Sequence, residues 1–319
     1  MQRRNLYVVA LAAAGMLAAA VPASAQSELG QAQGKAVVTI LPAHQGQAQG
    51  SISANQLALK VNGKQTNIAN FRPLNDANAR IELVVMIDGA ARSNLGLQIN
   101  DVAHFIQTLP PGARVAVAYM ENGRAAMAGP LSTNRQAAVH ELRLPTGPAG
   151  ISASPYFCLS DLAQHWPSRD RDARRIVVMV TDGVDDYEVR YDAEDPYVQA
   201  AISDAVRSRI VVYSIYWRNR GFIDRTGYGA DDGQNLLAEL TQATGGNSYW
   251  MGFGDPVSFQ PYFQDIDRRL HNQYEIGFDA NPSGKPGVES MKLRLNNSSA
   301  KLVAPQQVYV GRPAPMDGE

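Results

Sequence analysis

Ile81-Glu82-Leu83-Val84-Val85-Met86-Ile87-Asp88-Gly89 is the stretch on which the reading of this chain turns. It is almost continuously apolar as far as Ile87, as a strand covered on both faces should be, and it ends on an acid and a glycine. Arg175-Ile176-Val177-Val178-Met179-Val180-Thr181-Asp182-Gly183 repeats the arrangement. Between and beyond these runs the period changes to helical. Residues 94–109 place Leu95, Ile99, Val102, Phe105 and Ile106 on one face, and Pro110-Pro111-Gly112 ends the pattern. Strands are predicted at 113–120 and 210–217, with an antiparallel one at 124–131 and a short one at 248–251. Helices are predicted at 134–144, 155–166, 196–208, 235–244 and 256–272. Strands alternating with helices imply an α/β fold: a doubly wound, mainly parallel sheet with helices on both faces, spanning 78–272.

Outward from this segment the period becomes that of strands alone. Residues 36–41, 56–61 and 65–71 read as strands, and Asn62-Gly63 between the last two marks a hairpin. Residues 35–75 are therefore read as a β-hairpin unit. Three further strands at 274–279, 290–295 and 302–310 place C-terminal β-structure in 273–312. The two parts are expected to pack as one small β module, split by the α/β segment. Residues 26–34 and 313–319 are read as flexible. The first 25 residues look like a removable export leader. Arg3 and Arg4 precede an apolar stretch, and Ala23-Ser24-Ala25 supplies small residues for cleavage before Gln26. The expected location is thus periplasmic or secreted, with no membrane span after cleavage, because the apolar stretch is shorter than the ~20 residues a spanning helix needs.

Composition narrows the partner. The chain carries 29 basic and 30 acidic residues, a formal charge of -1 that becomes -3 once Arg3 and Arg4 leave with the leader. No long basic block exists, so nucleic acid is not expected. The single cysteine, Cys158, excludes an internal disulfide and reads as a buried small hydrophobe.

Asp88 and Asp182 carry the candidate site. In a doubly wound sheet, strand tips of this kind share the carboxyl rim where functional groups collect. Two carboxylates there could ligate Mg²⁺ or Ca²⁺, or each could simply cap its own turn. At this point the chain resembles the von Willebrand factor A family, and more closely its subgroup described from acidobacteria. The likeness rests on Ile87-Asp88-Gly89, Thr181-Asp182-Gly183, Val211 to Trp217, Leu237 with Ala243-Thr244-Gly245-Gly246, and Leu270 with Asn272 to Phe278. The hairpin Val61-Asn62-Gly63-Lys64-Gln65 with Ile68 and Phe71 extends it, so that it covers about 35–310.

The resemblance implies a metal-ion-dependent adhesion site and a role in binding proteins. Asp88 and Asp182 match the family's two acids. The two serine positions hold Ala90 and Arg92 instead, and the middle-loop threonine maps to Ser154. Ser93 supplies a hydroxyl only if the loop shifts by one residue. Losing two oxygen ligands and gaining a guanidinium works against a cation, since like charges ~4 Å apart repel by several kcal/mol near a protein surface. Arg92 could pair with Asp88 or Asp182 in the metal's place. The expectation is a degenerate site with no resident cofactor and at most weak Mg²⁺ or Ca²⁺ binding. Asp88, Arg92, Ser93, Ser154 and Asp182 would then form a rim that holds a protein partner.

Rival constellations are weaker. The acids between Asp182 and Asp195 lack the spacing of an EF-hand and read as a solvated loop, which suggests a partner with a partly basic surface. Ser160, Asp161 and His165 look like a hydrolase triad, but no Gly-x-Ser-x-Gly elbow precedes them. His44, His104, His140 and His271 lack zinc spacing, and neither nucleotide-binding glycine motif is present. A binding protein without catalysis is the favoured function. A structural part of an envelope or secretion assembly and a cation-dependent adhesion protein are the alternatives.

Overall fold

The computed structural model describes residues 32–44, 50–74, 80–91, 93–145, 154–185, 194–218, 228–252, 254–280 and 286–311. The leader assigned to 1–25 and the tail 313–319 lie outside them. The chain opens with four strands, β1 (Ala32–Pro42), β2 (Leu57–Val61), β3 (Lys64–Thr66) and β4 (Ile68–Pro73). Asn62 and Gly63 turn β2 into β3 with φ of 48° and 74°, the left-handed pair that a two-residue hairpin requires. β1 begins at Ala32, inside the stretch 26–34 read as flexible.

The middle of the chain holds β5 (Ile81–Asp88), α1 (Ile99–Thr108), β6 (Arg114–Glu121), β7 (Arg124–Met127), α2 (Arg135–His140) and α3 (Pro155–Gln164). It continues through β8 (Arg174–Thr181), α4 (Pro196–Arg207), β9 (Ile210–Tyr216), α5 (Tyr228–Thr244), β10 (Asn247–Tyr249) and α6 (Gln260–Leu270). The chain closes with β11 (Gln273–Ala280), β12 (Gly287–Leu295), β13 (Ala300–Val303) and β14 (Gln307–Gly311). Among the described residues no helix is long and apolar enough to cross a membrane.

These strands correct the expected fold class. The protein is not a doubly wound, mainly parallel α/β structure with a small β appendix. Its larger sheet has eight strands in the order β3-β2-β12-β14-β1-β11-β4, with β13 paired to β1, and every pairing in it is antiparallel. β3 and β4 follow one another in sequence yet stand at the two ends of this order, so the sheet curls into a barrel-like shape. Leu59, Ile276, Met291 and Val310 fill its inside. The other sheet is mixed and six-stranded, β10-β9-β8-β5-β6-β7, with β7 antiparallel to β6 and the remaining pairs parallel. The misjudgement has a physical cause. The terminal strands do pair across the chain, β1 with β11 for example, but local periodicity carries no record of the strand order that makes this sheet the larger one and curls it.

The four inner strands of the mixed sheet, β5, β6, β8 and β9, are buried on both faces, which is why they are almost continuously apolar. Leu83, Val85 and Ile87 face Phe105 of α1 and Phe263 of α6, while Val84 and Met86 face Tyr156 and Leu159 of α3. Each such side chain contributes ~1.5–3 kcal/mol by leaving water. The two sheets are bolted together by Arg174, whose Nη1 donates to Leu270 O at 2.9 Å and Gln273 Oε1 at 2.8 Å.

Cys158 lies fully buried on α3. Burial, reinforced by the charges of Asp88 and Asp161, pushes its thiol up to about 12. At pH 8 its thiolate fraction is then on the order of 10³-fold below that of an ordinary cysteine. Native protein is expected to resist iodoacetamide at pH 8 and to react at once in urea, as read by mass spectrometry. Equal rates in the two states would contradict this burial.

Candidate functional site

Asp88 is the last residue of β5, and Asp182 follows the last residue of β8. The two strands are parallel neighbours with Ile87 opposite Val180, so both acids stand on one rim of the mixed sheet. They are 3% and 7% exposed. Thr181 Oγ1 donates to Asp88 Oδ2 at 2.6 Å, and Ala90 N donates to Asp88 Oδ1 at 2.8 Å. Thr181 Oγ1 also accepts from Gly183 N at 3.1 Å, and Asp182 Oδ1 accepts from Val184 N at 3.1 Å. Each carboxylate therefore organises the turn that follows its own strand, and Thr181 ties the two turns together.

The Asp182 turn is also clamped from below. Gly183 has φ of 69°, and its carbonyl accepts the Tyr156 hydroxyl at 2.8 Å. A Cβ on Gly183 would fall 2.5 Å from Leu237 Cγ and 2.6 Å from Gly233 O, so α5 packs directly on this backbone. Ser154 is fully buried at the start of α3, where its Oγ accepts from Tyr156 N at 3.3 Å. It is a helix cap beneath the rim. Arg92 lies outside the described residues. Ser93 opens a 3₁₀ turn, Ser93–Leu97, and its side chain is likewise outside them.

Sequence reasoning underrated the acids that follow. Asp185 and Asp195 are 3% and 2% exposed, so these two do not belong to a solvated loop. Asp195 caps α4 by accepting from Tyr197 N at 2.8 Å and Val198 N at 3.3 Å. Tyr156 reports the resulting field. Burial raises its hydroxyl well above the ordinary value, and the charges of Asp185, Asp182 and Asp195 raise it further. Asp186, Glu188 and Asp192 lie outside the described residues.

The donor set fits a divalent cation poorly. Mg²⁺ and Ca²⁺ take six to eight oxygens, whereas position 90 supplies only a methyl group and Ser154 Oγ is occupied as a cap. Among the described residues no three His, Cys, Asp or Glu side chains converge as metal ligands. The triad-like residues do not assemble either. Ser160 Oγ bonds to Asp204, Asp161 accepts from Ala125 N at 3.0 Å, and His165 Nδ1 stands 3.1 Å from Asp161.

The same rim carries a feature that the sequence did not suggest. Five large apolar side chains are exposed among the described residues: Leu97, Met127, Trp250, Met251 and Val257. Four of them sit on the segments that follow β5 and β10 at their carboxyl ends. Leu97 is 80% exposed and Val257 88%. Their segments touch, because Gln98 Nε2 donates to Val257 O at 2.9 Å and Pro256 O at 3.3 Å. Asp101 pins the second segment to α1 by accepting from Ser258 Oγ at 2.7 Å and Phe259 N at 2.8 Å. Helix α6 thus starts at Gln260 rather than at the expected residue 256. The sequence hid them because Trp250 and Met251 read as part of a strand at 248–251, while Leu97 and Val257 read as parts of helices at 94–109 and 256–272.

No protein-family model matches the chain, and no curated protein does. Its structural neighbours include an aerotolerance-related membrane protein from Bacteroides fragilis, at 13% identity and a TM-score of 0.41, covering 60% of this chain and 98% of that one. BatB from Bacteroides thetaiotaomicron is similar at 13% identity and 0.39, over 60% and 97%. The pilus adhesin SpaC from Lactobacillus rhamnosus GG gives 10% and 0.40, over 80% of this chain and 47% of that one. At these scores the likenesses carry no argument about fold or use.

Proposed function

We propose that this protein is an exported, non-catalytic binding module that holds another protein at the rim where β5, β8 and β10 end. The observation that carries the reading is the exposure of four large apolar side chains, Leu97, Trp250, Met251 and Val257, on the segments that leave that rim, the Leu97 and Val257 segments being tied together by Gln98. Exposed apolar groups kept in place by buried polar bonds mark a surface that another molecule covers, and tryptophan is a frequent anchor in such contacts. The buried acids Asp88 and Asp182 shape and charge the rim without needing a cation, so the partner is expected to be apolar at the centre with basic groups around it. Binding at this rim is also the use that the resemblance to von Willebrand factor A domains implies.

A photo-crosslinking amino acid at Leu97 or Val257, compared with one at Met127, tests the proposal in the envelope fraction. Adducts with one partner are expected at the two rim positions and not at Met127. They should fall at least ~10-fold in Trp250→Ala, the loss typical of an anchor residue. Insensitivity to EDTA is expected, and loss in EDTA would favour a cation-dependent adhesion protein. Constitutive recovery in one large complex would instead favour a structural part of an envelope assembly. Rim positions no more reactive than Met127 would end the proposal.

A further inference from the structure

The opposite, amino-terminal rim of the mixed sheet is lined with arginine. Arg80 and Arg114 stand at the starts of β5 and β6 and are paired, with Asp170 at 2.8 Å and Glu82 at 2.7 Å. Arg174 is buried in the seam with the barrel. Five more, Arg169, Arg171, Arg175, Arg207 and Arg209, have no acid partner within ion-pair distance among the described residues, and Arg169, Arg171 and Arg207 are exposed. Asp172 is the remaining acid on this loop.

Two of these heads, those of Arg175 and Arg209, bond to the loop between α3 and β8. Arg175 Nη2 donates to Ser168 O at 3.3 Å and Asp170 O at 3.4 Å, and Arg209 Nη2 donates to Arg171 O. Arg175 also lies over the Trp166 ring, 5.4 Å from its centroid. Burial lowers the pKa of Arg175; Glu82 works against that, and the charges of Arg209 and Arg171 lower it further. The cluster therefore holds positive charge that the protein itself leaves partly uncompensated. Across the crevice where this rim meets the barrel stand both Lys35 and Glu275, the latter paired with Arg72.

We infer that this arginine rim is a docking surface for an anionic lipid membrane. The exposed members, Arg169 and Arg171 on the loop that enters β8 and Arg207 at the end of the helix that leads into β9, stand where two adjacent strands begin. Exposed guanidinia carried on separate surface segments match phosphates spread over a surface better than one phosphate held in a pocket. The apolar rim faces the other way, so a membrane-docked molecule keeps its protein-binding face free. The inference does not depend on the function proposed for that face.

Sedimentation with phosphatidylglycerol and phosphatidylcholine vesicles tests it. Binding to phosphatidylglycerol alone is expected, with loss in 0.5 M NaCl as screening shortens to about 4 Å. Each exposed arginine near an anionic surface is worth ~1 kcal/mol, so the triple variant Arg169→Ala, Arg171→Ala, Arg207→Ala should bind on the order of 100-fold more weakly. Lys60→Ala, Lys64→Ala, Lys292→Ala removes the same charge from exposed barrel positions and should bind as the parent does. Equal loss in both triple variants, equal binding to both lipids, or no vesicle binding would overturn the inference. Saturable binding of inorganic pyrophosphate without vesicle binding would also overturn it, in favour of a discrete phosphate site.

Discussion

Gly183→Ala is expected to destabilise the protein by roughly 3 kcal/mol or more and to abolish binding at the Asp88/Asp182 rim. Two independent costs combine. A side chain at φ of 69° carries about 1–2 kcal/mol of backbone strain. The added methyl also meets Gly233 O at 2.6 Å, a backbone atom that cannot rotate away, and crowding of that kind costs another ~1–3 kcal/mol. Relief requires α5 to move off the turn or the turn to lift, and lifting pulls the Gly183 carbonyl from Tyr156. Gly233→Ala approaches the same contact from the other side, since its Cβ would lie 2.0 Å from Asp182 O. Both variants should therefore lose stability in urea unfolding and lose the Leu97 and Val257 crosslinks together. A shift below about 1 kcal/mol in Gly183→Ala would mean that α5 does not clamp this turn.

That pair of glycines shows how much of the site was legible. Thr181-Asp182-Gly183 identifies a strand tip, and all three residues have a physical role there. Thr181 bridges the two turns, Asp182 closes its own, and Gly183 adopts the left-handed conformation. The sequence could place Asp88 and Asp182 on adjoining tips because apolar runs with acidic ends are a local pattern. It could not reveal Gly233, fifty residues on, because a glycine within a helix looks like a weak helix residue until the opposing backbone is seen. The buried acids Asp185 and Asp195 were misread for a related reason. A dense acidic stretch ordinarily lies in water, and only Asp195 at the cap of α4 and Asp185 beneath the rim show otherwise. The barrel was missed at a larger scale. That strands from the two ends of the chain join in one β unit was expected, but nothing local shows that the sheet holds eight strands or that β3 and β4 lie at its two edges.

Glu82→Ala is expected to cost roughly 3 kcal/mol, because it leaves the Trp166 indole N–H without its acceptor and opens a cavity in the middle of the sheet. Glu82 is fully buried at the start of β5, a strand that is apolar from Leu83 to Ile87. Its Oε1 accepts from Arg114 Nη1 at 2.7 Å and its Oε2 from Trp166 Nε1 at 2.7 Å. Removing it strips the acceptor from a half-buried indole, leaves a cavity between β6 and β8, and withdraws a negative charge beside Arg175. The two ends of the bond are not equivalent, however. Arg114 has a side chain 38% exposed, so after losing Glu82 it can turn to water. Arg114→Ala, in contrast, leaves the carboxylate buried and held by the Trp166 indole. Glu82→Gln keeps an acceptor for Trp166 and should cost less than Glu82→Ala. A double-mutant cycle in urea on Glu82→Ala and Arg114→Ala should return a coupling of at least ~1 kcal/mol, since the two changes remove one shared bond. Additive losses would show that Trp166 and the surrounding packing, rather than the ion pair, hold this acid in the sheet.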